Sequence, residues 1–247
     1  MALLALVPAY LVTVTWTALQ VVMAIALYSI SARRLLALGS IGRVFYLLLF
    51  LTSLPLLHNF KYGQVSVLIV LGISLTLSYH REGRSTAGGL VLAAVASIKY
   101  YPAIALIYFV FLRDIRFLAA FAVGIFGFLG LLPALWLGLD GWWSYTSETI
   151  RTFPKYDMFL GAFGSQYFLH VALRWAYNLG QPLTEHGYHV LRWLFVALFI
   201  AHAAFAAWLY RQGGERGPIL ATAALFLYLP MAVTSSWTHY LVYLPLC

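Results

Sequence analysis

Charge is what this sequence has least of. Acidic residues number seven in 247, and charged residues of both signs make up 9%, where a soluble domain carries roughly 25%. That scarcity excludes an ordinary soluble globular domain. In its place stand apolar side chains, 63% of the chain, and a mean hydropathy of +0.88, the balance of an integral membrane protein. The single cysteine, Cys247, excludes an intrachain disulfide and any cysteine-based metal cluster. No internal repeat or low-complexity tract is present. The N-terminus lacks the basic n-region and small-residue cleavage site of a removed signal, so it reads as a first span.

The fifteen basic residues give a net charge of +8, yet they are scattered between apolar segments. They form no stripe or basic helix of the kind that tracks nucleic acid, and they read as topology signals. Apolar runs over 5–30, 41–58, 64–80, 117–138, 190–210 and 217–234, with another starting near Tyr240, approach the roughly 20 residues that a spanning helix needs. The sequence therefore predicts an all-α, polytopic integral membrane protein, with 1–247 as a single transmembrane domain.

Basic residues cluster at Arg33, Arg34 and Arg43, at Arg81 and Arg84, at Arg113 and Arg116, and at Arg211 and Arg216. Placed on the cytoplasmic side by the positive-inside tendency, they require the stretch between Arg84 and Arg113 to enter and return on the same side. Thr86 to Ile98 and Tyr100 to Leu112 are 13 residues each, about 20 Å of helix. Either half is short of a hydrocarbon core of about 30 Å. Two half-length helices meeting at Lys99 and Pro102 make a short reentrant hairpin, with Pro102 removing a donor and disfavouring helix at Tyr101. The alternative is one long helix kinked at Pro102, with Lys99 near mid-membrane. In the hairpin, Lys99 stands at the outer tip, where an ionisable residue faces a cavity or a partner or snorkels to the interface.

The same topology sends other polar residues to that side. "HNFKYGQVS" (His58 to Ser66) lies at an outward turn, and 140–189 forms a long polar outer loop with amphipathic pieces, carrying Asp140, Glu148, Arg151, Lys155, Asp157, Ser165 and Gln166. "SSWTHY" (Ser235 to Tyr240) ends the 217–234 span. Singly these are weak signals: Trp142 and Trp143 fit an aromatic belt as well as a sugar platform. Together they describe an outward cavity with cations, amides and imidazoles, suited to an anionic headgroup with a hydroxyl-rich body.

Gly63-Gln64 at the outer start of a span, a small-residue hairpin ending in Lys99-x-x-Pro102, and Ser236-x-x-His239 at a later outer helix end resemble the polyprenol-phosphate-sugar-dependent glycosyltransferases of family 87. That family includes α-(1,2)-mannosyltransferases. The resemblance runs from about Leu4 to the C-terminus. It implies a GT-C-like helical bundle in the bacterial plasma membrane and a polyprenyl-phosphate sugar donor, mannose foremost. Transfer would go to a lipid or glycan acceptor on the extracytoplasmic side. Such a reaction needs a base for the acceptor hydroxyl and cations or hydrogen-bond donors for the leaving lipid phosphate. Lys99 suits the phosphate as a compact charge. Lys61, Asn59, Gly63, Gln64, Tyr100, Ser165, Gln166 and Ser236 join it as donor-binding candidates, and His239 is the candidate for the phosphate or the acceptor.

One departure from the family stands out. Members carry an acidic residue, taken as the base, in the first outer loop after an N-terminal span, and Met1 begins within what resembles the next helix. The expectation is a piece of a longer chain, lacking its first loop and last spans and inactive alone, with Asp157 as the substitute acid. Two other classes stay open: a lipid-linked sugar flippase or transporter, which would show repeated halves with broken helices, and a noncatalytic membrane partner. No metal is required by the residues present, since His186 and His189 lack a third ligand; a hydrated divalent ion bridging the donor phosphate remains compatible.

Overall fold

The computed structural model describes residues 8–152, 171–172, 175–176, 178–180 and 184–232. Every regular element among them is helical. Helix α1 (Ala9–Ser29) runs into a π turn (Ile30–Leu35), followed by α2 (Ser40–Leu51), α3 (Leu54–Lys61), α4 (Ser66–Arg81) and α5 (Ser85–Ile98). A 3-10 turn (Tyr101–Ala105) leads to α6 (Leu106–Phe111), α7 (Ile115–Ile125), a second π turn (Phe126–Leu131) and α8 (Leu132–Thr152). The described chain ends with α9 (Glu185–Gln212) and α10 (Gly217–Ala232). Three helices are long and apolar enough to cross a membrane, or four if the bent pair α2–α3 counts as one span. The chain is an all-α, polytopic membrane protein.

The reentrant hairpin is present. Lys99 is extended (φ −143°, ψ 129°), ending α5, and Pro102 sits in the 3-10 turn that starts the return. Ser85 Oγ at the start of α5 donates to Asp114 Oδ2 beyond α6 at 2.6 Å. A single kinked helix would have put those residues at opposite ends. Asp114 also caps α7, accepting from Phe117 N at 3.0 Å, so the returning chain turns again and α7 rises parallel to α5.

Small residues let these helices close. A Cβ on Gly89 would strike the carbonyl oxygen of Phe117, one on Gly124 would lie 2.6 Å from Ala93 Cβ, and one on Gly72 would strike Val95. Packing of this kind, with no water to squeeze out, is what holds helices together in lipid. Around it lies a core of Leu27, Ile69, Leu92, Phe109, Phe117 and Leu225, with the Phe109 and Phe117 rings stacked at 3.5 Å.

All four arginine-bearing turns gather at one end. Arg34 pairs with Glu82 at 3.1 Å, and Arg81 Nη1 donates to the carbonyls of Arg34 and Leu35 at 3.0 and 3.1 Å, filling acceptors that a helix C-terminus leaves open. Asp114 stands 3.5 Å from His80 Nδ1. Tyr108 and Tyr210 meet edge to face at 5.3 Å, bringing the α9–α10 turn alongside. The opposite end carries the α3–α4 junction and the hairpin tip.

Two expectations need correction. The span at 41–58 is broken at Thr52 and Ser53 and bent by 49°, because Pro55 opens a new helix at α3 and Thr52 Oγ1 turns back to Leu48 O at 2.7 Å. Within 140–189, where amphipathic pieces are expected, helix is found at the start. It resumes through Thr152 after a break at Gly138 (φ 74°), the first of those pieces. Helix α9 begins at Glu185 and not at 190, because Thr184 Oγ1 accepts from Gly187 N at 3.1 Å as its N-cap.

Candidate functional site

The α3–α4 junction is built around a glycine and a buried amide. Gly63 adopts φ +60°, a conformation that costs residues with a Cβ, and its carbonyl accepts from Trp16 Nε1 of α1 at 2.9 Å. Asn59 is fully buried, donates through Nδ2 to Gln20 Oε1 at 3.0 Å and accepts at Oδ1 from Val67 N at 3.3 Å. The carbonyl of Asn59 also accepts the backbone N–H of Gln64, at 3.0 Å. Asn59 thus stitches α1 to the first turn of α4. Its polar groups serve the interior, and it acts by holding the Gly63-Gln64 turn. The Gln64 side chain, half-buried, and Lys61, exposed, stand at the surface of that turn. The Lys61 ammonium lies 5.3 Å from the centroid of the Tyr62 ring, and His58 meets the same ring edge-on at 5.6 Å.

Lys99 and Tyr100 form the hairpin tip, the first half-buried and the second half-exposed. Helices α4 and α5 pack antiparallel, with Thr76 Oγ1 reaching Gly88 O at 3.3 Å and Gly72 against Val95. That register sets Lys99 level with the first turn of α4, offset from Gln64 by less than about one turn along the axis and standing on the neighbouring helix. The fold therefore brings Gly63, Gln64, Lys61, Lys99 and Tyr100 to one end. Asp157, Ser165, Gln166, Ser236 and His239 lie outside the described residues.

What this end offers is a pair of ammonium groups, a primary amide and a phenol on a rigid pair of turns. That set can neutralise and hydrogen-bond a phosphate and a sugar hydroxyl. Two crevices lie elsewhere. One, between the first π turn, α4 and α10, is an open, apolar groove of ≈ 30 Å³ lined by Leu35, Val70, Ser74, Leu77, Thr222 and Phe226. The other, between α6, α9 and α10, is smaller still. Neither has room for a sugar phosphate. Among the described residues no group of three or more His, Cys, Asp and Glu side chains could hold a metal ion.

The residues that sequence reasoning missed are Trp16 and Gln20. The signal was there: Gln20 is an isolated amide inside an apolar span, and such residues find a partner.

A polytopic helical membrane protein with a cationic turn cluster at one end admits several activities, and the sequence match narrows them. The family model for glycosyltransferase family 87 matches residues 1–236, and the chain belongs to that family. No curated protein and no solved structure matches it. The protein is a membrane glycosyltransferase by family.

Proposed function

We propose that this chain binds a polyprenyl-phosphate sugar at the Lys99 end and takes part in passing the sugar, a hexose of the mannose type, to a hydroxyl of a lipid or glycan acceptor outside the cytoplasm of a bacterial cell. The acceptor oxygen attacks the anomeric carbon, the bond from that carbon to the phosphate oxygen breaks, and the proton of the hydroxyl goes to a base. The lipid phosphate leaves with added negative charge. Lys99 meets that charge, while Lys61, Gln64 and Tyr100 bind phosphate or sugar oxygens. Gly63 and Asn59 hold the Gln64 turn in place. Ser165, Gln166 and Ser236 add donor contacts, and His239 or Asp157 serves the acceptor proton. A bound divalent ion would supplement Lys99 at the phosphate and is not needed for this reading.

The supporting observation is the hairpin break. It sets Lys99 level with the turn of Gly63 and Gln64, at the end away from the turns that carry Arg34, Arg81, Arg113 and Arg211, which is where the positive-inside tendency puts the extracytoplasmic face. The test is donor binding and sugar transfer by Lys99→Ala. Loss of a transition-state charge partner should cost about 2–4 kcal/mol, with Lys99→Arg restoring only part because its planar guanidinium is larger. Unchanged donor affinity and transfer in Lys99→Ala would leave Lys99 a snorkelling residue and overturn the proposal.

A further inference from the structure

After Gly138 the second part of α8 changes character. At roughly 100° per residue, Leu139, Trp142, Trp143, Thr146 and Ile150 fall within about 100° of helix surface, and Asp140, Ser144, Glu148 and Arg151 occupy the facing arc. Trp142 and Thr146 are half-buried on the side towards the protein. Leu139, Trp143 and Ile150 are 73%, 65% and 68% exposed. An exposed apolar arc on a charged helix needs a solvent of its own.

The chain controls where that arc is delivered. Pro133 has no N–H to offer the carbonyl four residues back, that of Leu129, and the Leu129 carbonyl accepts the Trp142 Nε1–H at 2.8 Å. A helix running straight on from Leu137 would carry Trp143 and Ile150 away into water. The break at Gly138 and the Trp142 bond fold it back. Gly89 of α5 packs against Phe117 and Ala120, and Ala93 against Gly124, a register that puts Leu129 level with Lys99. The arc is thereby continuous with the exposed apolar surface of the preceding span, where Leu132, Leu135 and Trp136 are 62%, 76% and 71% exposed.

We propose that Leu139–Thr152 is an interfacial helix lying in the outer leaflet's headgroup–acyl boundary, with Leu139, Trp143 and Ile150 in the acyl layer and Asp140, Ser144 and Arg151 in water. The occupant of its apolar face is bulk phospholipid. The polar arc holds two acids and one base among Asp140, Glu148 and Arg151, so attachment comes from apolar burial and not from attraction to anionic headgroups.

Spin labels on single cysteines in a Cys247→Ala background, in phosphatidylcholine nanodiscs, test this by accessibility. Leu139→Cys, Trp143→Cys and Ile150→Cys should favour oxygen over a water-soluble nickel complex. Asp140→Cys, Ser144→Cys and Arg151→Cys should show the reverse, with the pattern unmoved by added anionic lipid or salt. Nickel access at all six positions overturns the proposal, as does protection of the first three from both reagents, which would mean that protein covers them. Unlabelled protein gives an independent reading. Lipids brominated high on the acyl chain should quench more fluorescence in the wild type than in Trp143→Phe, and equal quenching overturns the proposal whatever the labels do to folding.

Discussion

Ser85 and Asp114, 29 positions apart, are joined by a 2.6 Å hydrogen bond, and that bond fixes both ends of the α5–α6 hairpin at one level. The chain between them leaves and returns, so Lys99, near its midpoint, is carried to the opposite end. Labelling follows directly. In a Cys247→Ala background, Arg84→Cys and Arg116→Cys should react with an impermeant maleimide from the same side, and Lys61→Cys and Tyr100→Cys from the other. Labelling of positions 84 and 116 from opposite sides would falsify the hairpin.

Asp114 carries three tasks at once, accepting from Ser85 Oγ and Phe117 N and standing beside His80. Burial pushes its carboxyl upward, but the Ser85 hydroxyl, the Phe117 N–H, the His80 charge and the Arg116 N–H together hold it below the usual carboxylate range. A carboxylate depressed in the folded state contributes stability above its unfolded pKa and loses it as pH falls through the folded one. The thermal midpoint should therefore drop on acidification below the ordinary carboxylate range, and Asp114→Asn should flatten that drop. Asp114→Ala should also lose the cap, about 1 kcal/mol at neutral pH. An acid limb identical in wild type and Asp114→Asn would count against the assignment.

Close packing of α5 on α7 gives a sharp contrast between two glycines. A methyl at position 89 meets the Phe117 carbonyl oxygen and Ala120 Cβ, and backbone cannot step aside cheaply. A methyl at 127 meets nothing within 4 Å. Gly89→Ala should destabilise by about 1–3 kcal/mol, the usual range for overpacking, with Gly127→Ala near neutral. Similar thermal midpoints for the two variants would contradict the packing described.

The buried amide pair predicts non-additivity. Asn59→Leu leaves the Gln20 carbonyl oxygen and the Val67 N–H without partners, at about 1–3 kcal/mol for a buried polar group left unmade. Gln20→Leu alone should cost a similar amount. The double variant should cost less than the two together, because residues in one network do not add. Strict additivity in thermal unfolding would show that the two amides are independent.

Much of this was legible in the sequence because lipid simplifies the problem. With every backbone group obliged to pair internally, long apolar runs can only be helices, and the arginine clusters order them. The hairpin could be read from Arg84, Arg113 and the length between them, and the tip from Lys99 and Pro102. The Gly63-Gln64 turn was visible as a motif, but not what supports it. Asn59 looked like a ligand for sugar or phosphate because sequence shows an amide near a helix end and not the direction in which it points. Its partner Gln20 lies 39 positions away in the chain. The break at Thr52 and Ser53 was missed for a related reason: Pro55 at the first turn of a helix starts a new element as readily as it interrupts an old one. The amphipathic character of the stretch after Gly138 was legible as well, but not where its helix begins and ends, because its polar residues resemble a loop when read in a line.

The shortness of α5 has a consequence for traffic. Its 14 residues rise about 21 Å, against a hydrocarbon core of about 30 Å. Laid along the membrane normal from a start at the near edge, the backbone at Lys99 consequently stops about 9 Å short of the far edge of that core, and the four-carbon stem carries the ammonium up towards the headgroups of one leaflet. On the proposed function, a lipid-phosphate donor sliding sideways through that leaflet would reach the ammonium group with its tail still in oil. It would need neither to climb into water nor to flip, so the approach is two-dimensional.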